Sequence, residues 1–273
     1  MSDATYAGHG HVFRVDAPQP LASRVSRALA TLEVTGQPAV GDYTMRSSDD
    51  EWVLRWNDEE VGRRQTEDSV LLLLHWHVNQ QTIASSVTSF TTLHAAVARS
   101  PEGVGVLLAA PMESGKTTTC TGLLRRGWAY LTDEAAAVTS DGRILAYPKP
   151  LTLDSGSWFL FPDLRPPDVG SRAKSWLVPA TSVPADVVPE ATLGLVVLPE
   201  YARAGDTVAE GLQPAQTALA LAHSTFFFDQ HGARDLRCVS ALARSLPAYR
   251  LRIGALDAAL DLIERLAAAE AAA

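Results

Sequence analysis

The chain has 273 residues, enough for one large domain or two modest ones, and 47% of them are apolar, as in an ordinary globular protein able to bury its own core. A formal net charge of −8 lacks the basic footprint of a nucleic-acid binder, and two cysteines, Cys120 and Cys238, supply neither a disulfide framework nor a metal-ligand spacing. The opening segment has no charged-then-apolar signal pattern, and the apolar run Val70 to Leu74 is cut at His75, too short for a bilayer, so a cytoplasmic protein with no membrane partner is expected.

The first 89 residues read as a small α+β region. Leu21 to Leu32 and Glu67 to Ser85 have helical spacing. Thr31 to Val40 and Glu51 to Trp56 alternate as strands do, with Gly36, Pro38 and the cluster Ser47 to Asp50 as turn signals. His75 and His77 are two residues apart on the second helix. They point away from each other there, so no metal site is expected from them.

From residue 90 to 273 the pattern becomes α/β. Thr91 to Arg99 and Val104 to Ala109 read as neighbouring strands joined by the turn Ser100 to Gly103. Thr117 to Arg126 follows as a helix closed by Gly127. Trp128 to Leu131 is a short strand, and Ala135 to Thr139 and Ile144 to Tyr147 form a hairpin around Asp141-Gly142. Phe161 to Pro189 is proline-rich and irregular, with Arg165, Arg172 and Lys174, and reads either as a substrate loop or as a solvated excursion. Ala191 to Pro199 has the run of a buried strand. Gln213 to Ala222 and Ala233 to Ser245 suit helices, Tyr249 to Ile253 a strand, and Ala255 to Ala267 an amphipathic helix with a fraying tail from Ala268 to Ala273.

The chemistry concentrates in the stretch from Gly105 to Thr119. An apolar strand ends in a small-residue turn, Pro111-Met112-Glu113-Ser114-Gly115, and Lys116-Thr117-Thr118 opens a helix. Strand, loop and helix in that order make a phosphate site. Gly115 lets backbone N–H groups close on an anion, Lys116 neutralises phosphate charge, and the Thr117 hydroxyl is suited to Mg²⁺. The chain has three lysines in all, which makes a chance lysine at this position less plausible. Ala110 stands where the usual pattern has its first glycine, and it fits only if its backbone avoids a glycine-only conformation.

Two further features accompany the loop. Asp133 and Glu134 follow the next short strand, where a parallel sheet would bring carboxylates beside phosphates for metal binding or proton acceptance. His94 sits in an apolar strand, a position that by itself is more often a satisfied core residue.

Together, Leu93-His94-Ala95-Ala96-Val97, Gly105 to Leu108, Pro111 to Thr118, Leu123 to Trp128 and Leu131-Thr132-Asp133-Glu134 resemble the HPr kinase/phosphorylase-like kinases. These share the phosphoenolpyruvate carboxykinase type of P-loop fold, and the group includes homologues in ribosomal-peptide biosynthetic clusters, among them those for lasso peptides. The resemblance covers roughly Leu93 to Tyr147. It implies ATP and Mg²⁺ as cofactors and a serine-type hydroxyl on a peptide, protein or small molecule as acceptor. It also implies catalytic roles for Asp133, His94 and Lys116, nucleotide contacts from Pro111 through Thr118, and metal ligation by Thr117, Asp133 and Glu134. An oligomer follows from the resemblance alone.

The chain departs from that family where Ala110, Met112 and Glu113 replace Gly, Ser and Gly, and where Glu134 replaces a second Asp. An acid at Glu113 opposes triphosphate binding unless it faces outward or meets a cation. The glycine-rich element of true HPr kinases is absent, which argues against HPr as the acceptor. A nucleotide-binding module without catalysis therefore stands as the alternative.

Overall fold

The structure is a computed structural model that describes residues 4–111, 114–171, 173–202 and 204–272. Met112, Glu113 and Arg172, all singled out above, lie outside the described residues. Chain contacts divide the protein into two units, Met1–Ser86 with Lys149–Ser182, and Val87–Pro148 with Val183–Ala273. The expected division was contiguous, at residue 90; the segment Lys149–Ser182 instead groups with the first unit.

The first unit opens with β1 (Thr5–Gly8), β2 (His11–Asp16), α1 (Leu21–Ala28), β3 (Glu33–Val34), β4 (Gly41–Ser48), β5 (Glu51–Trp56), β6 (Glu59–Arg64) and α2 (Glu67–Ser86). The strands form one sheet in the order β3-β1-β2-β4-β5-β6. Three two-residue loops turn its hairpins: His9-Gly10, Asp49-Asp50 and Asn57-Asp58. All six residues have positive φ, the conformation that matches the twist of a tight hairpin and that Gly, Asn and Asp tolerate best. Helix α2 packs across β2, β5 and β6, burying Val70, Leu74 and Val78. The strand expected over Thr31 to Val40 shrinks to Glu33–Val34, because Ala30–Leu32 closes a 3₁₀ turn and Gly36 takes φ +73°.

A polar cluster sits within this apolar core. Tyr43 Oη lies 2.7 Å from His77 Nδ1 and 3.5 Å from His11 Nε2, and His11 also packs 5.2 Å from the Trp56 ring. Burial, with a smaller contribution from His77, pulls the His11 pKa from its ordinary 6.5 to about 4. The folded chain thus holds His11 neutral while the unfolded chain protonates it. The stabilisation is full above about pH 6.5 and is lost as the pH falls towards 4. At most this loss is on the order of 3 kcal/mol. Trp fluorescence should report unfolding at progressively lower urea through that window, and His11→Phe should flatten the slope. An unchanged slope would show that His11 is not the group responsible.

The second unit begins with β7 (Thr91–Arg99), β8 (Gly105–Ala109), α3 (Lys116–Arg125), β9 (Ala129–Thr132), β10 (Ala135–Val138) and β11 (Arg143–Leu145). The chain then contributes β12 (Leu151–Asp154) and β13 (Ser175–Val178), an antiparallel pair, to the first unit. The proline-rich segment is not simply solvated: Phe161, Leu164, Trp176 and Leu177 are buried, and Trp176 stacks on Trp158 at 4.7 Å. The second unit resumes with β14 (Glu190–Tyr201), β15 (Val208–Gly211), α4 (Pro214–His223), α5 (Phe228–Ser245), β16 (Ala248–Ile253) and α6 (Leu256–Ala271).

These strands form an eight-stranded mixed sheet in the order β11-β10-β7-β8-β14-β16-β15, with β9 also paired to β7. Strands β8, β14 and β16 run parallel, while β7 runs against β8. The central position of β8 explains its composition: all five residues are buried, as a strand covered on both faces requires. The fold is thus a mixed α/β arrangement, as expected. The tail expected to fray is helical through Ala271, since alanine is the best helix former and Ala267 is packed in the core.

Candidate functional site

The phosphate-loop sequence lies at the end of the central strand. Pairing of β7 with β8 runs as far as Ala95 opposite Ala109, and the chain then turns through Ala110 and Pro111 towards α3. Ala110 is buried and is not among the residues with positive φ, so the alanine meets the backbone condition set above. Gly115 precedes α3 with φ +92°, a left-handed conformation in which a side chain would be strained. Helix α3 is fixed by α6. Gly122 lets the two approach so closely that a Cβ there would lie 2.8 Å from Leu260 Cδ1, and Arg126 reaches Asp257, Asp261 and Glu264.

Lys116 is buried at 6% exposure, although it opens a helix. Its Nζ donates to the carbonyls of Ala110 at 2.6 Å and Pro111 at 2.8 Å. The ammonium is thus folded back on its own loop. Burial lowers its pKa, and the carboxylates of Glu134 and Asp133 act against that shift. Ser114 Oγ is buried with no hydrogen-bond partner, as is Thr119 Oγ1 on the first turns of α3. Thr117 and Thr118 are half-buried.

The acidic pair occupies the junction between β9 and β10. Both strands pair with β7, through Thr132 opposite Val97 and Ala135 opposite His94, and Ala95 N donates to Glu134 O at 3.1 Å. Thr132 Oγ1 braces the junction by accepting from the N–H groups of Glu134 and Ala135. Asp133 is 2% exposed and accepts a hydrogen bond from Tyr130 Oη at 2.9 Å. Glu134 is partly exposed, with Oε1 3.5 Å from His94 Nε2. The end of β8, His94-Ala95 of β7, and Asp133-Glu134 therefore occupy adjacent positions across the sheet.

One contributor was not anticipated. Beyond Ala109, the edge of β7 that β8 leaves is taken over by Ser224–Phe226, the connection between α4 and α5. His94 N donates to Ser224 O at 2.6 Å, Phe226 N donates to Thr92 O at 2.9 Å, and Phe226 packs its ring 5.6 Å from that of His94. The next residue, Phe227, takes φ +52°, a conformation that costs an aromatic residue on the order of 1 kcal/mol. Its only mark in the sequence is the run Phe226-Phe227-Phe228 after a helix.

Of the residues singled out from the sequence, Lys116, Asp133, Glu134 and His94 are brought to one end of the sheet, beside Pro111, Ser114, Gly115, Thr117 and Thr118. Met112 and Glu113 lie outside the described residues. His75 and His77 diverge, one towards Thr152 and the other towards Tyr43. Among the described residues no group of three or more His, Cys, Asp or Glu could hold a metal unaided, and no helix is long and apolar enough to cross a membrane.

No protein-family model matches the chain, and no curated protein matches it. Among solved structures it is similar to the Hpr(Ser) kinase/phosphatase from Coxiella burnetii, at 11% identity and a TM-score of 0.33, over 64% of this chain and 96% of that one.

Proposed function

We propose that the second unit is an ATP-dependent phosphotransferase acting on a serine-type hydroxyl of a peptide, protein or small molecule in the cytoplasm. The convergence of Lys116, Asp133 and Glu134 at the end of the buried central strand carries this reading. A helix N-terminus preceded by a left-handed glycine offers N–H groups to an anion. The lone lysine beside it exchanges two loop carbonyls for phosphate oxygens when nucleotide enters. Ser114 Oγ, buried and unsatisfied, gains an acceptor in the same event. Asp133 takes the proton of the attacking hydroxyl, and His94, opposite Ala135 on the neighbouring strand, lies two positions further along, beside Glu134. Most of the rate enhancement comes from positioning and electrostatics, since phosphoryl transfer asks little covalent chemistry of the protein.

The donor set fits Mg²⁺, a hard cation that takes oxygen ligands and usually binds through one or two carboxylates plus substrate phosphates. Thr117 with Asp133 or Glu134 would hold it. When bound it neutralises phosphate charge. A catalytically silent nucleotide-binding module is the second reading, favoured by the acidic Glu113 in the loop.

Thermal unfolding with ATP, ADP or GTP and Mg²⁺ tests the reading, followed by mass spectrometry of hydroxyl acceptors. A shift with transfer supports the phosphotransferase, and a shift without transfer to any acceptor supports the silent module. No shift with any nucleotide defeats both.

A further inference from the structure

The connection between α4 and α5 holds an aromatic side chain that the fold does not call for. Strand β7 starts at Thr91 but pairs with β8 from Ala95 onward, opposite Ala109. Its first residues therefore continue past the point where the chain turns into the phosphate loop. Thr225 pairs with Leu93 there, and the hydrogen bonds from His94 to Ser224 and from Phe226 to Thr92 fasten the connection to that edge. The result is a wall standing beyond the loop, with the Phe226 ring against His94. Phe226 sits three residue steps past Ala109, roughly 10 Å at the rise of a strand, and Phe227 follows it.

Phe227 takes φ +52° and is 41% exposed. The left-handed position closes the turn into α5, where Phe227 O accepts from the N–H groups of Gln230 and His231. Glycine or asparagine makes such a turn with less strain and without an apolar ring in water. The exposed Leu219 and Leu236 lie inside helices α4 and α5, where single apolar residues are ordinary. At Phe227 strain and exposure coincide, one residue from the ring that touches His94. Strain of this kind clusters at ligand-binding positions.

We propose that Phe227 is a specificity-determining residue of the acceptor site: its ring covers an apolar side chain next to the serine of a peptide acceptor. This rests on the phosphotransferase reading. A free amino acid or another small polar acceptor has no group for such a surface. Phe227→Gly suits the left-handed backbone and removes the ring, so the variant should fold and keep its shift in melting temperature with ATP and Mg²⁺. The probes are free serine and two short peptides, one with leucine and one with glycine on both sides of a central serine. An apolar contact separates substrates by about 10-fold or more. The wild type should therefore favour the leucine peptide by about 10-fold in kcat/KM. Phe227→Gly should bring that ratio to within about twofold of one, and Phe227→Tyr should retain it. The same ratio is read without turnover from the Kd of each peptide, measured with and without a non-hydrolysable ATP analogue. A leucine preference that survives in Phe227→Gly overturns the proposal. So does a wild type that shows no preference, binds neither peptide, or transfers phosphate to free serine in place of the peptides. Binding with a Phe227-dependent leucine preference but no transfer counts against the phosphotransferase alone, and Phe227 then stands as a peptide contact.

Discussion

Lys116→Ala should nearly abolish stabilisation of the protein by ATP. Saturating ligand at 100 times its Kd adds about 2.7 kcal/mol to the folded state. Removing one partner of a desolvated charge pair costs roughly 2–5 kcal/mol. If that weakens ATP by about a hundredfold, the same ligand concentration equals the new Kd, and only about 0.4 kcal/mol of stabilisation remains. The sequence assigns Lys116 to phosphate charge. In the structure Lys116 also satisfies two carbonyls at the end of β8, so the apo protein should lose stability as well, by about 1–2 kcal/mol. Differential scanning fluorimetry with and without ATP and Mg²⁺ separates the two effects. A variant that keeps the full nucleotide shift would show that Lys116 does not touch phosphate.

Lys116 belongs to the part of the site that local sequence dictates. Its identity and its place at a helix start were legible, because strand, small-residue turn and helix are all local patterns. The same holds for the Asp141-Gly142 hairpin, for α2 and for β7, whose bounds Thr91–Arg99 follow the apolar run. What escaped depends on partners distant in sequence. Strands β12 and β13 are separated by 20 residues and pair with each other, so neither shows the spacing of a hairpin. Strand β6 is exposed or half-buried throughout, so it lacks the alternation that marks a strand. The first hairpin does carry a turn signal, Gly8-His9-Gly10-His11.

In the site, the acidic pair and His94 stood out by residue type, but their partners did not. Tyr130 looks like any strand aromatic until the turn at Thr132 brings Asp133 back to its hydroxyl. Phe226 lies more than 130 residues from His94, and only the vacated edge of β7 brings them together. Chemical groups are visible in a sequence, whereas the residues that orient them are found through packing.

Asp133→Asn should reduce phosphoryl transfer by about 10²- to 10⁴-fold, the usual contribution of a positioned proton acceptor, while leaving nucleotide binding in place. The substitution preserves shape, and the amide oxygen can still accept from Tyr130, so the fold should survive. It removes one of the two carboxylates that act against the burial of Lys116. The other, Glu134, has the larger effect of the two carboxylates on Lys116 and remains, so ATP should still shift the melting temperature. Glu134→Gln makes the informative contrast. Glu134 is partly exposed and faces His94 at 3.5 Å, where solvent weakens any charge pair, and its loss should cost less turnover than that of Asp133. Single-turnover transfer from ATP, measured for the wild type and both variants at several Mg²⁺ concentrations, distinguishes the roles. A deficit in Asp133→Asn that persists at saturating Mg²⁺ marks a proton acceptor, and one that Mg²⁺ relieves marks a metal ligand. Near wild-type transfer by Asp133→Asn with a large loss in Glu134→Gln would move the chemistry to the exposed member of the pair. The burial of Asp133 would then serve to brace the strand junction through Tyr130.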